Sequence, residues 1–399
     1  MQNETIQSRN DEVFVNNYIR YPVVMEKGRG CVLYGEDGTA YLDFLAGIAV
    51  CALGHCHPKV TEAICRQAGE LVHVSNLYYT RPQTELAELL VANSFGDKVF
   101  MCNSGAEANE AAIKLARIHA GKDKYEILCL EGSFHGRTLA TVAATGQPKF
   151  HKGFEPMPQG FVHLPFGDLA AAERHIGENT CAILCEPIQG ESGVRPLEPE
   201  YLQGLRQLCD RHGLLLIFDE VQTGMGRSGT LFAYQQSDVI PDIMTLAKGL
   251  GNGLPIGAMV TTRQIAASMG PGTHASTFGG NPVAAAAGVA TLSTILEEGF
   301  LADVRRRSDY LRSRLAELAE RFPAFATGVR GAGMLQALVL SAAGISRGAE
   351  VVNSMFAKGF LINFAGNAAL RFAPPLIVSQ EEIDRMIVAL AEVLDEYAV

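Results

Sequence analysis

The chain has 399 residues, of which 48% are hydrophobic, 19% charged and 8% aromatic, with no tryptophan. That length buries a large core in roughly two or three domains, and the composition excludes an intrinsically disordered protein. A net charge of -10 at pH 7 argues against a nucleic-acid partner, and the one dense basic run, Arg305 to Arg307, falls in a helical pattern as a solvated face.

The opening stretch, MQNETIQSRNDEV, is polar and lacks the apolar core of a signal peptide. No run of about 18 apolar residues follows, so neither a transmembrane helix nor a membrane partner is expected. The nine cysteines are odd in number and sit mostly in apolar stretches. Buried thiols in a reducing cytoplasm account for them better than a disulfide framework does. Residues 1–60 read as an arm with short strands, in which CVLYGEDGTAYLDF alternates and turns at Asp37-Gly38 as a hairpin. VTEAICRQAGELV, TELAELLVANS and AEANEAAIKLARIHA carry helical periodicity. Between later helices come YEILCLEG, TCAILCEP, GLLLIFDEV and DIMTLAKG, short continuous apolar runs of the kind found in parallel sheets covered on both faces. A long helical pattern from Thr291 to Phe322 opens the final segment. Strands in VRGAGMLQALVL and FLINFAGNAALRFAPPL follow, and a helix over QEEIDRMIVALAEVLDEYA closes it. This order predicts an α/β chain: an arm over 1–60 that joins the smaller domain, a large domain over 61–290, and a small α+β domain over 291–399.

Two motifs carry less than they promise. Gly224-x-Gly226-x-x-Gly229 matches a dinucleotide fingerprint, but TLFAYQQSD after it opens no amphipathic helix, so a loop is expected. Cys51, His55, Cys56 and His57 tempt a metal reading. Adjacent side chains diverge, and a turn before a helix is expected instead of a metal site.

Four other features point to one chemistry. Asn103-Ser104-Gly105-Ala106-Glu107 follows an apolar strand and opens a helix, where free N–H groups and the helix dipole favour an anion; Ser104 alone is equally a cap. Phe134-His135-Gly136-Arg137 places an aromatic and an arginine on a loop after a strand, which suits a flat ligand and a carboxylate. Asp219 and Glu220 end a buried strand, where an unpaired carboxylate is costly. Lys248, the only lysine between Lys152 and Lys358, ends the next strand in an apolar, glycine-rich setting that lowers an amine's pKa. An anion cradle, an amine and an acid are what pyridoxal phosphate needs.

These stretches, with YPVVMEKGRGCVLYGEDGTAYLDFLAGIAVCALGH, EPIQGE, FDEVQTGMGRSG, LAKGLGNGLPIGA, STFGGNP and RFAPPL, resemble the class III aminotransferases across nearly the whole chain. The resemblance implies the fold of type I pyridoxal-phosphate enzymes, with a large, mostly parallel sheet flanked by helices and a smaller α+β domain. It implies that Ser104, Gly105 and Ala106 hold the phosphate and that Thr277 reaches the phosphate of a partner subunit in a homodimer with shared sites. Phe134 would stack on the pyridine ring, Asp219 would pair with the ring nitrogen, and Gln222 would bond the phenolic oxygen. Lys248 would form the Schiff base and shuttle the proton. Arg137 would grip a substrate carboxylate, with Glu186 and Ser276 also at the substrate. Glu191 and Arg371 would act as a switch, paired for an ω-amine and parted for a dicarboxylate; a fixed ion pair is the alternative. Ser192 departs from the glycine frequent in the family after that glutamate.

GIAVCALGHCHP and SNLYYT pull toward the branch that moves the δ-amino group of N-acetylornithine to 2-oxoglutarate in arginine biosynthesis. Branches for succinylornithine, ornithine, succinyldiaminopimelate and 4-aminobutyrate share the same motifs. A mutase or racemase, a non-catalytic binding protein on this fold, and a nicotinamide dehydrogenase are the more distant alternatives.

Overall fold

A computed structural model describes residues 5–397. Its centre is a seven-stranded sheet in the order Lys98–Cys102, Gly257–Thr261, Ile243–Leu246, Leu215–Asp219, Thr180–Cys185, Glu126–Leu130, Phe161–Leu164. Gly257–Thr261 runs antiparallel to both of its neighbours, and the other pairings are parallel. Thr180–Cys185, Leu215–Asp219 and Ile243–Leu246 are buried at every residue, which is why their sequences are continuous apolar runs and not alternations. One apolar cluster, including Leu128, Leu216 and Leu246, fills one face of this sheet. A second, including Ile127, Ile217 and Ile243, fills the other. The alternation of neighbouring residues between the two clusters is the pleat itself.

The helix Gly105–Ala120 packs on this sheet with Ala112, Ile113 and Ala116 buried. The expected hairpin is present as Val32–Gly35 and Ala40–Asp43, with Gly38 at φ 83° in the turn. A third strand, Met25–Arg29, and Phe360–Leu361 from far along the chain complete a four-stranded sheet. The other small sheet orders Ala326–Ala332, Leu335–Leu340, Ala369–Phe372 and Asn363–Ala365, all antiparallel. Cys31, Leu42, Phe44 and Ala52 share an apolar cluster with Leu315, Leu338, Val351 and Leu390.

The long helical pattern from Thr291 is in fact two helices, Pro282–Ile295 and Phe300–Arg321, meeting at 74°. Gly299 breaks it at φ 83°, a left-handed conformation that glycine adopts without steric cost. The first helix starts earlier than its periodicity suggests. Asn281 caps it by accepting from Val283 and Ala284 N–H, and its Ala-rich sequence is buried nearly all round, so no apolar stripe stands out. Among the described residues no single helix is long and apolar enough to cross a membrane.

Candidate active site

The C-terminal ends of Lys98–Cys102, Glu126–Leu130, Thr180–Cys185, Leu215–Asp219 and Ile243–Leu246 converge on one side of the large sheet, where ligands of open α/β sheets bind. A cavity of about 410 Å³ opens there, within the roughly 300–1,000 Å³ of small-molecule sites. Ser104, Gly105, Ala106, Phe134, Arg137, Glu186, Asp219, Gln222 and Lys248 all line it.

Ser104 caps the helix Gly105–Ala120, its Oγ accepting from Glu107 N–H at 3.2 Å. The N–H groups of Gly105 and Ala106, at the first two helical positions, have no intrahelical acceptor. They lie at the positive end of the dipole, so this wall of the cavity suits an anion. A Cβ on Gly105 would come within 2.7 Å of Val221 Cγ1, so the close approach of helix and loop needs glycine.

Asp219 is 3% exposed. Its Oδ2 accepts from Asn109 Nδ2 and from His135 Nδ1, each at 2.8 Å, and its Oδ1 accepts from Val221 N–H at 3.0 Å. Glu220 turns away from the cavity, as successive residues of an extended chain do. Its carboxylate accepts from Ala233 N–H at 2.5 Å and Tyr234 N–H at 2.8 Å, and burial pushes its carboxyl up to about 7. The two adjacent acids therefore part: one faces the cavity and the other fastens a loop.

Lys248 follows Ile243–Leu246 with φ 44°, a left-handed conformation uncommon for a residue with a side chain. Burial lowers its ammonium pKa, with the Glu191 carboxylate opposing that shift and the Arg371 guanidinium adding to it. The result favours a neutral, nucleophilic amine. Glu186 is buried beside it. Desolvation and the Asp219 charge hold its carboxyl well above the usual range, while its Oε2 accepts from Phe134 N–H at 2.9 Å.

Arg371 is fully buried in the strand Ala369–Phe372. Its Nη1 donates to Glu191 Oε1 at 2.6 Å, to Gly190 O at 3.0 Å and to Gln222 Oε1 at 3.1 Å, and its Nε donates to Asn363 Oδ1 at 3.0 Å. Gln222 Nε2 in turn donates to Glu191 Oε1 at 3.1 Å. Desolvation raises the Glu191 carboxyl, but Arg371 and Lys248 outweigh it and bring the carboxyl down to about 2. Glu191 and Arg371 stand behind the wall, and Gln222 joins them to the cavity. Arg137 lies in the wall with its guanidinium 4.0 Å from the Phe150 ring centroid and 5.5 Å from that of Phe134.

Ser276 and Thr277 do not line the cavity. They sit in a neighbouring depression with Asn103, Glu107 and Thr138, where Ser276 Oγ accepts from Asn103 Nδ2 at 3.2 Å and from Gly279 N–H at 3.0 Å. Sequence reasoning passed over Asn109, Thr245 and the His135 side chain. Asn109 had a signal: it is a polar residue on the stripe 109, 112, 113, 116 that is otherwise apolar and buried. The glycine triplet forms a loop, with Arg227 Nη1 donating to Met334 O at 3.1 Å, and a short 3₁₀ turn, Ala233–Gln236, comes after it. His55 Nε2 bonds Asp43 Oδ2 at 2.8 Å; burial lowers its pKa, but Asp43 and Cys51 together outweigh that and raise it to about 10.

The model of the family "Aminotransferase class-III" matches residues 13–394. The chain belongs to the class III aminotransferases. It is 50% identical over 386 residues to the acetylornithine aminotransferase of Neisseria meningitidis serogroup A, covering 96% of this chain and 97% of that protein. The N-acetylornithine aminotransferase of Stenotrophomonas maltophilia superposes with a TM-score of 0.83 at 38% identity, covering 95% of this chain and 97% of that one. The ornithine aminotransferase of Toxoplasma gondii, whose active site holds pyridoxal phosphate at partial occupancy, superposes with a TM-score of 0.93 at 31% identity, covering 100% of this chain and 97% of that one. Class III aminotransferases depend on pyridoxal phosphate. The donor set here fits that group: an anion cradle whose close packing needs Gly105, an amine whose pKa burial lowers, and a buried carboxylate in the same cavity.

Proposed function

We propose that this chain transfers the δ-amino group of N-acetyl-L-ornithine to 2-oxoglutarate, giving N-acetyl-L-glutamate 5-semialdehyde and L-glutamate, a step of arginine biosynthesis. The observation that carries the transamination is the meeting of Lys248, Asp219 and the Ser104 helix start in one cavity. The acetylated amine is favoured by the 50% identity to a relative that acts on it.

When bound, pyridoxal phosphate supplies an aldehyde that takes up the amino group and a ring that accepts the electron pair released at the substrate carbon. Gly105 and Ala106 N–H groups and the Ser104 hydroxyl would hold its phosphate. Phe134 would cover one face of the ring. Asp219 would hold the proton on the ring nitrogen, and the second N–H of the Gln222 amide would reach the phenolic oxygen. Lys248 would carry the aldehyde at rest and, once displaced, move a proton at the δ-carbon. A neutral amine is what that step requires.

Arg137 would clasp the carboxylate of the amine substrate and then the distal carboxylate of 2-oxoglutarate, with Glu186 supporting the substrate; Ser276, outside this cavity, would reach a substrate only in the site of a second copy. Glu191 would leave Arg371 when the α-carboxylate of 2-oxoglutarate arrives. Exposure supports that assignment of the moving part: 28% of the Glu191 side chain is exposed, against 1% for Arg371. Thr277, away from its own cavity, would serve the phosphate of a second copy in a homodimer. The exposed Leu77, Tyr78, Tyr79 and Phe278 support a covered face there. The nine thiols are all free, which supports a cytoplasmic location. The shared cluster of Cys31, Leu42, Phe44 and Ala52 with C-terminal residues supports reading 1–60 with 291–399 as one smaller domain beside the large domain 61–290.

The test is steady-state turnover with acetylornithine, succinylornithine, ornithine and 4-aminobutyrate, each with 2-oxoglutarate. Acetylornithine should give the highest kcat/KM, and a higher value for any other amine moves the assignment to that substrate.

A further inference from the structure

We propose that Asn109 and His135, with Thr245 behind Asn109, are positioning residues that fix which oxygen of Asp219 meets the ring of the bound cofactor. The proposal rests on the reading above, that Asp219 serves the ring nitrogen.

Each bond in the cluster has one sense. Two acceptors, the Asp219 carboxylate and the His135 carbonyl, face one end of the Asn109 amide and assign its nitrogen there, which leaves Oδ1 to accept from Thr245 Oγ1 at 2.7 Å. Asn109 Nδ2 then has two acceptors, Asp219 Oδ2 and His135 O, each at 2.8 Å. The His135 ring adds a second donor to the same Oδ2, so its proton sits on Nδ1. Two donors converge on Oδ2, whereas Oδ1 accepts only the Val221 N–H. Oδ1 is therefore the oxygen with room for a donor from the cavity. The sheet builds this arrangement directly. Asp219 and Thr245 are register partners in adjacent parallel strands, and Asn109 comes from the helix whose first turn forms the anion cradle. One rigid helix thus sets both ends of the ring, its phosphate and its nitrogen.

A bland reading is available, in which these bonds only satisfy polar groups that must be buried. The two readings differ in what a small change does. Thr245→Val removes one hydroxyl and keeps the shape. Its loss releases the oxygen end of the Asn109 amide, so the amide can swing and loosen its N–H bond to Asp219 Oδ2. The readout is the ¹⁵N chemical shift of ring-labelled pyridoxal phosphate bound to the enzyme at one fixed pH, together with cofactor affinity from titration of the apoenzyme. Thr245→Val should move the ring-nitrogen signal toward the unprotonated position, weaken cofactor binding about tenfold and lower kcat about tenfold, with little change in KM for either substrate. His135→Leu should do the same, and His135→Asn, which restores an N–H donor, should recover most of the signal.

Asp219→Asn is the control for the parent reading and should lose ring-nitrogen protonation outright. If Asp219→Asn leaves the ¹⁵N signal unchanged, the role given to Asp219 fails. If Asp219→Asn abolishes it while Thr245→Val and His135→Leu keep the wild-type signal, the positioning role fails and the bland reading holds. A lower melting temperature in those two variants with no change in the ¹⁵N signal has the same meaning.

Discussion

Asp219 and Glu191 are both carboxylates serving one cavity, and they are held in opposite ways. Asp219 is 3% exposed and accepts three N–H bonds, none from a group that another ligand is expected to claim. Glu191 keeps 28% of its side chain exposed and is held by one arginine and one amide. On the proposed function the first serves permanence, since the ring nitrogen would need its acid in every half-reaction. On the proposed function the second serves exchange, because 2-oxoglutarate would need Arg371 and the amine would have to be kept from it. The difference follows from where each residue sits: Asp219 ends a strand buried on both faces, whereas Glu191 stands on a turn between short strands.

The largest expected effect tests what both acids surround. Lys248→Ala should lower turnover by at least about 1,000-fold, the scale of losing a general acid–base group. It should also remove the long-wavelength absorbance of the bound cofactor. Full activity in this variant would sink the assignment of the site. Next comes Arg371→Met, which strips a fully buried cation from Glu191, Gln222, Gly190 and Asn363. Breaking a buried pair costs about 3–5 kcal/mol. Urea unfolding should therefore show a lower midpoint, and KM for 2-oxoglutarate should rise more than KM for the amine. Equal rises would mean that Arg371 is only structural. Glu191→Gln separates the exchange role from the structural one. It keeps a hydrogen-bonding partner near Arg371 and removes the charge that masks it. Single-turnover rates should show the amine half-reaction slowed about tenfold and the 2-oxoglutarate half-reaction nearly unchanged. An equal loss in both would mark a fixed ion pair.

Sequence was most legible where one physical demand dominates a stretch. Continuous apolar runs ending in a charge gave Leu215–Asp219 with its acid and Ile243–Leu246 with Lys248 just beyond, because only strands buried on both faces read that way. Phe161–Leu164 and Gly257–Thr261 escaped notice because neither is a continuous Leu, Ile and Val run: a histidine interrupts FVHL, and GAMVT begins at a glycine and ends at a threonine. Roles that depend on partners far along the chain were not legible. Nothing near Glu220 says that its carboxylate holds Ala233 and Tyr234, and nothing near Asn109 says that it bonds a residue 110 positions away. Glu191 and Arg371 stand 180 positions apart, and only the family resemblance paired them.

The smallest effect uses pH to probe the link between Glu191 and Lys248. Burial lowers the Lys248 pKa, and the Glu191 charge, the next influence in size, raises it again. Cofactor uptake by the apoenzyme needs the neutral amine, so its rate should climb with pH and level off below the ordinary lysine range. Removing the Glu191 charge takes away a force that favours the ammonium. In Glu191→Gln the midpoint should therefore move further down, and uptake at neutral pH should be faster than in the wild type. Stopped-flow absorbance across a pH series measures both midpoints. An upward move would contradict the electrostatic coupling. No move at all would mean that Glu191 acts on Arg371 alone, leaving the exchange site and the amine site electrically independent.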